Sequence, residues 1–197
     1  MTDTTRTTDE LLKGLQKDRP NVCVFGASSD DINQSFIDLA ETLGARLAQA
    51  GYGMVFGGGA NGLMGATARG VSSRGGAITG VTPLVIDEIQ QRYPSMCFIE
   101  TPTLAARKEV MEGFSDAFVV LPGGVGTLDE LFNVAARNAV HETSKPLVIF
   151  NPDGFYDPLL SFLDRLSDQR FVDAHDESYL EVCSTVDEVM AVLAKHL

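Results

Sequence analysis

A chain of 197 residues fits one domain of ordinary size, and a hydrophobic content of 44% is enough for a full core. The formal net charge of −12 argues against nucleic acid and anionic membrane surfaces as partners, and no apolar run approaches the roughly 20 residues that span a bilayer. Such a chain also repels free phosphate esters, so any phosphate site in it must be locally positive, built from dipoles and a few selected cations.

Residues 1–20 are polar and lack the apolar stretch of a secretory signal; they read as a flexible tail with one helical turn near Leu11–Leu15. Residues 21–197 read as a single domain, without repeats, low-complexity tracts or a linker. A strand is expected at Val22–Phe25, followed by the turn Gly26-Ala27-Ser28-Ser29. Phe36, Leu39, Ala40, Leu43 and Leu47 then recur with the 3.6-residue period of a helix. The next strand, Gly53–Phe56, runs into the glycine cluster Gly57-Gly58-Gly59-Ala60-Asn61-Gly62, where a second helix begins. Further strands are expected at Ala77–Val81, Met96–Ile99, Ala117–Leu121, Leu147–Phe150 and Leu180–Cys183. Helical spacing returns at Tyr156, Leu159, Leu160, Leu163 and Leu166, and again at Val186, Val189, Met190 and Leu193. Short continuous apolar strands alternating with amphipathic helices predict an α/β fold, a doubly wound and mostly parallel sheet covered on both faces. Cys23, Cys97 and Cys183 each lie in an apolar stretch and read as buried small hydrophobes. They form neither a zinc spacing nor a disulfide framework, which favours a reducing, cytoplasmic setting.

Ligands of doubly wound sheets bind at the carboxyl ends of the strands. Three glycine- or serine-rich turns fall at such ends, and parallel strands would bring them to one rim. In the second turn, Gly57, Gly58 and Gly59 can bring bare backbone close to a ligand, although a tight turn with close helix–strand packing would use the same glycines. The spacing Gly57-x-Gly59-x-x-Gly62 matches a dinucleotide fingerprint, but it follows the second strand and has no clear acidic residue about 20 positions later, so NAD is not expected. The third turn, Pro-Gly-Gly-Val-Gly-Thr-Leu-Asp-Glu at residues 122–130, leads from a buried strand into a helix. Its backbone amides can cradle an anion at the helix N-terminus, with Gly124, Gly126 and Thr127 around a phosphate and Glu130 directed at the sugar it carries. The spacing from Thr127 to Glu130 also fits a capping box, a purely structural device, although glycines at 123, 124 and 126 exceed what a cap requires. Arg107 and Lys108 are adjacent cations on an expected helix, where Lys108 shares a face with Leu104 and Met111. They are either a solvated surface pair or a guanidinium fork and a point charge for phosphate. His141, His175 and His196 accompany no nucleophile elbow, and no cluster has metal-ligand spacing. Asp87 and Glu88 read as an exposed acidic pair or as a further strand end.

Together these stretches resemble the LONELY GUY family of cytokinin riboside 5′-monophosphate phosphoribohydrolases, often labelled lysine decarboxylases. The family signature Pro-Gly-Gly-x-Gly-Thr-x-x-Glu is matched completely at Pro122–Glu130, and its Arg-Lys followed by Met at Arg107, Lys108 and Met111. Residues 25–29, 57–65, 115–118, 145–146 and 153–156 also match, so the resemblance covers about 21–166. It implies a Rossmann-like fold, a homodimer and hydrolysis of the N-glycosidic bond of AMP or an N6-modified adenosine monophosphate, with no metal or redox cofactor. It also implies Arg107 and Glu130 as the catalytic pair, and Lys108 and Gly124–Thr127 as substrate-binding positions. Ser28, Gly58, Gly59, Met111 and Glu88 are further substrate-binding candidates. The chemistry agrees, because cleavage of a ribosyl–base bond develops oxocarbenium character that a carboxylate can stabilise. The chain departs from its relatives where many carry Met-His-x-Arg-Lys and this one has Leu104-Ala105-Ala106 before Arg107. It departs again at Ala135-Ala136-Arg137-Asn138, where many show Thr-Trp-x-Gln. A second reading is a non-catalytic nucleotide or molybdenum-cofactor carrier, which needs the glycine cradle but not the Arg107–Glu130 pair. A pyridoxal-phosphate decarboxylase is disfavoured, since no lysine sits in a recognisable anchoring context.

Overall fold

Each of the seven apolar runs becomes a strand. The computed structural model describes residues 8–15, 17–83, 92–94, 97–171 and 180–197. Among these, β1 (Asn21–Phe25), β2 (Gly53–Phe56), β3 (Ile78–Pro83), β4 (Cys97–Thr101), β5 (Ala117–Val120), β6 (Leu147–Phe150) and β7 (Leu180–Cys183) form one sheet in the order β4-β3-β2-β1-β5-β6-β7. Every neighbouring pair is parallel, with Val22 opposite both Met54 and Ala117, and Phe25 opposite Val120. The helices are α1 (Thr8–Gly14), α2 (Gln34–Gln49), α3 (Gly62–Ser72), α4 (Leu104–Phe114), α5 (Val125–Ala139), α6 (Asp157–Asp168) and α7 (Val186–His196). This is the Rossmann-like, doubly wound sheet the alternation predicts.

The period-2 geometry of each strand builds two cores. Val22 and Val24 point to one face, where α2, α3 and α7 contribute Leu43, Leu63, Val71 and Leu193. Cys23 and Phe25 point to the other, where α4 and α5 contribute Val110, Met111, Leu131 and Val134. Phe25 and Phe118 stack there with ring centroids 5.9 Å apart. Each large side chain buried this completely contributes about 1.5–3 kcal/mol.

Three expectations change. Cys97 is exposed, because it begins edge strand β4, which has a neighbour on one side only. β3 reaches Pro83 rather than stopping at Val81, since Thr82 and Pro83 pair with Glu100 and Thr101. The segment read as a flexible tail contains α1, which docks on α4. Leu12 fills the space beside Gly113, and the Thr8 hydroxyl donates to Glu109. Among the described residues no helix is long and apolar enough to cross a membrane.

The direction of winding reverses between β1 and β5, which lie side by side at the centre. The loops that leave them are joined there: Leu121 N–H donates to the Phe25 carbonyl and Ala27 N–H to the Pro122 carbonyl. A crevice at such a reversal is where this architecture binds ligands.

Candidate active site

A cleft of about 740 Å³ opens above this reversal. One wall is the β1 loop with Ser28, another is the start of α4, and a third is the start of α5. Met64, Pro83, Leu104 and Ala105 give it an apolar side.

α4 is fixed by Thr103, whose hydroxyl accepts the Ala106 N–H at 3.1 Å. Arg107 follows in the first turn. Its Nε donates to the Val81 carbonyl at 3.1 Å, and its Nη2 lies 3.2 Å from Glu130 Oε1. Both side chains are largely shielded, 14% exposed for Arg107 and 9% for Glu130. Gly57 makes room for this arrangement, because a Cβ there would collide with the Arg107 guanidinium. Burial pushes the Glu130 carboxyl above the usual carboxylate range, and Asp129 adds to the rise. Arg107 opposes it most strongly, with Lys108 helping. The outcome is a carboxylate held beside a guanidinium in a cleft, with a raised proton affinity.

The capping-box reading of Thr127 and Glu130 is overturned. α5 begins one turn earlier than that reading requires, with Gly124 as N-cap and no side-chain cap bond. Thr127 is therefore inside the first turn, buried against Gly123, and Glu130 lies in the second turn facing Arg107. The same Thr-x-x-Glu spacing does form a capping box at α7, between Thr185 and Glu188. The first turn of α5, with Gly124, Val125, Gly126 and Thr127, lines the cleft and presents a helix N-terminus to it. The other glycine-rich start is filled by the chain itself: Gly62 N–H donates to Asp30 and Leu63 N–H to the Ala27 carbonyl.

The remaining candidates divide. Ser28 and Lys108 line the cleft, and Lys108 is paired with Asp129 at 2.9 Å. Gly58 and Gly59 do not line it. A left-handed Gly58, at φ +83°, turns the chain toward Thr82 and Phe98, its carbonyl accepts from Tyr93 N–H, and Gly59 pairs with Arg92. Met111, one turn beyond Arg107, is wholly buried in the second core rather than in the cleft. Glu88 lies outside the described residues. His141 is exposed, and His196 pairs with Glu181 at 2.9 Å. Sequence reasoning passed over Asp129, which sits at a variable position of the signature, and Tyr156. The Tyr156 hydroxyl donates to the Leu121 carbonyl at 2.8 Å and so ties down the strand end that carries the signature loop. The sequence showed Tyr156 in an apolar helical pattern and in the matching stretch 153–156, but not this bond.

A protein-family model described as "Possible lysine decarboxylase" matches residues 64–193. The cytokinin riboside 5′-monophosphate phosphoribohydrolase of Mycobacterium tuberculosis is 37% identical over 175 residues, covering 88% of this chain and 92% of that one. The rice (Oryza sativa subsp. japonica) enzyme of the same name, LOG, is 33% identical over 89% of this chain and 73% of its own length. Among solved structures, the molybdenum cofactor binding protein of Rippkaea orientalis superposes with a TM-score of 0.70 at 19% identity, over 91% of this chain and 98% of that one. The Moco carrier protein of Chlamydomonas reinhardtii gives a TM-score of 0.69 at 21% identity, over 90% and 96%. At those identities the likeness is one of fold alone. The sequence relatives go further, since they span most of both chains, and with them this chain belongs to the LONELY GUY family of cytokinin riboside 5′-monophosphate phosphoribohydrolases.

Proposed function

We propose that the protein hydrolyses the N-glycosidic bond of AMP or of an N6-modified adenosine 5′-monophosphate, giving the free base and ribose 5-phosphate. The observation that carries this reading is the buried contact between Arg107 and Glu130 at 3.2 Å, within the cleft that the α5 N-terminus lines. The 5′-phosphate lies at the first turn of α5, Gly124–Thr127, with Lys108 beside it. Glu130 faces the ribose, stabilises the positive charge that develops there and takes a proton from the attacking water. A carboxylate with a raised proton affinity suits that second task. Arg107 orients the nucleotide and supports the charge on the departing base. The water oxygen ends on the sugar and a proton ends on the base, so no oxidant, reductant or cofactor is consumed.

The family relatives support the reaction class, since the proteins of M. tuberculosis and rice carry this activity in their names. In this reading the protein is cytoplasmic, works as a homodimer and has no nucleic-acid partner; the net charge of −12 speaks against nucleic acid, and the exposed apolar side chains on α5 suit a second copy. Incubation of the purified protein with AMP and with N6-isopentenyladenosine monophosphate, followed by assay of free base, tests the reaction. Release of base from either is expected. No release from any nucleoside monophosphate, together with tight nucleotide binding, would favour the carrier reading instead.

A further inference from the structure

We infer that Asp129 is a positioning residue for the nucleotide phosphate: it holds the Lys108 ammonium in the cleft, aimed across it, so that Lys108 can share itself between Asp129 and the phosphate. This rests on the phosphoribohydrolase site proposed above and adds a residue to it.

Two ion pairs join α4 to α5 as successive rungs. The inner rung is Arg107–Glu130, the outer is Lys108–Asp129. Lys108 Nζ lies 2.9 and 3.1 Å from the two Asp129 carboxylate oxygens. All four side chains line the cleft, and their charges cancel. Among the described residues the charges lining the cleft thus sum to zero, inside a chain of net charge −12, a condition an approaching phosphate dianion needs. Lysine is a point charge on a flexible four-carbon stem and does not aim itself. Here the stem is largely covered, at 22% exposure, while Asp129 stands 61% exposed at the cleft wall. An ammonium has three N–H donors, so the Asp129 pair leaves donor capacity for a ligand oxygen. An ion pair this exposed adds little to stability, so its effect should fall on binding.

Ribose 5-phosphate binding by calorimetry, run beside kcat and KM for AMP, tests this on Asp129→Asn, Asp129→Glu, Lys108→Met and the Asp129→Asn/Lys108→Met double variant. Asp129→Asn is expected to weaken ribose 5-phosphate binding and raise KM about tenfold, with kcat within about twofold and the melting temperature unchanged. Asp129→Glu should restore most of the affinity, and Asp129→Asn should add nothing in the Lys108→Met background. Unchanged or tighter binding in Asp129→Asn overturns the inference. So does a loss that persists without Lys108, or one that comes only with unfolding. The two readouts separate the proposals: a wild-type protein that binds ribose 5-phosphate but releases no base counts against the reaction, while the variants still report on Asp129.

Discussion

Glu130 is shielded enough that burial favours its proton, and close enough to Arg107 that the anion remains accessible. For an acid whose folded pKa is raised, the stability contributed by the protonated form is present below the unfolded value of about 4.3. It is lost as pH rises through the folded pKa. The ionised carboxylate therefore costs stability at neutral pH. Glu130→Gln should cut kcat about 10²–10⁴-fold while the circular dichroism spectrum and melting temperature at pH 7 stay the same or improve. A variant that keeps activity within tenfold, or that unfolds, would remove Glu130 from the chemistry. The pH dependence follows from the same signs. In the proposed reaction the carboxylate is the working form, so kcat/KM should fall as pH drops through a value above that of a free glutamate. Arg107 is the strongest influence lowering that value. In Arg107→Met the acid limb of the residual activity should therefore move to higher pH, and a limb that stays in place or moves lower would contradict the assignment.

Glycines decide how the elements around the site meet, and two of them do so in opposite ways. At Gly57, at the end of β2, a methyl group would strike the Arg107 guanidinium; at Gly126, in the first turn of α5, it would meet open space. Gly57→Ala should displace Arg107 from Glu130 and lower kcat/KM about 10–100-fold with the fold intact. Gly126→Ala should be stabilised by about 0.5–1 kcal/mol from helix propensity, yet raise KM, because its methyl stands where the phosphate would sit. Melting curves and steady-state kinetics on the two variants separate these effects. The sheet was legible in advance because parallel strands buried on both faces read as continuous apolar runs, and seven such runs stand out. Which of them forms an edge leaves no such mark, so Cys97 was misjudged. The Pro122–Glu130 stretch pointed to the helix start that lines the cleft, but its Thr-x-x-Glu spacing carries no information on the residue at which that helix starts. That start point decides whether Glu130 caps α5 or faces Arg107. Met111 and Lys108 lie three residues apart on α4, and only the packing of that helix against the sheet shows that one enters the core and the other the cleft.

At the scale of the whole molecule, α5 has a second face. Val125, Phe132 and, at its C-terminal cap, Val140 recur at spacings of seven and eight residues and stand 85%, 42% and 71% exposed. Apolar side chains aligned on a helix and left to solvent mark an association surface more often than a scatter of single residues does. Val125 also lines the cleft, so a second copy packed along this side of α5 would stand at the rim of the site. The proposed homodimer is expected to form there. α6 supplies a control, because its Phe162 is 54% exposed and takes no part in lining the cleft. Sedimentation of the wild-type chain at micromolar concentration should give a dimer. Phe132→Asp with Val140→Asp should give a folded monomer, since a charge at the centre of an apolar contact of standard size is poorly tolerated. Phe162→Asp should leave the dimer intact. If the partner completes the rim, the monomeric variant loses base release along with association, although Arg107, Lys108, Asp129 and Glu130 are all unchanged in it. A dimer that survives the α5 substitutions and is lost with Phe162→Asp would move the interface to α6, away from the cleft, and each subunit would then have to work on a site of its own making.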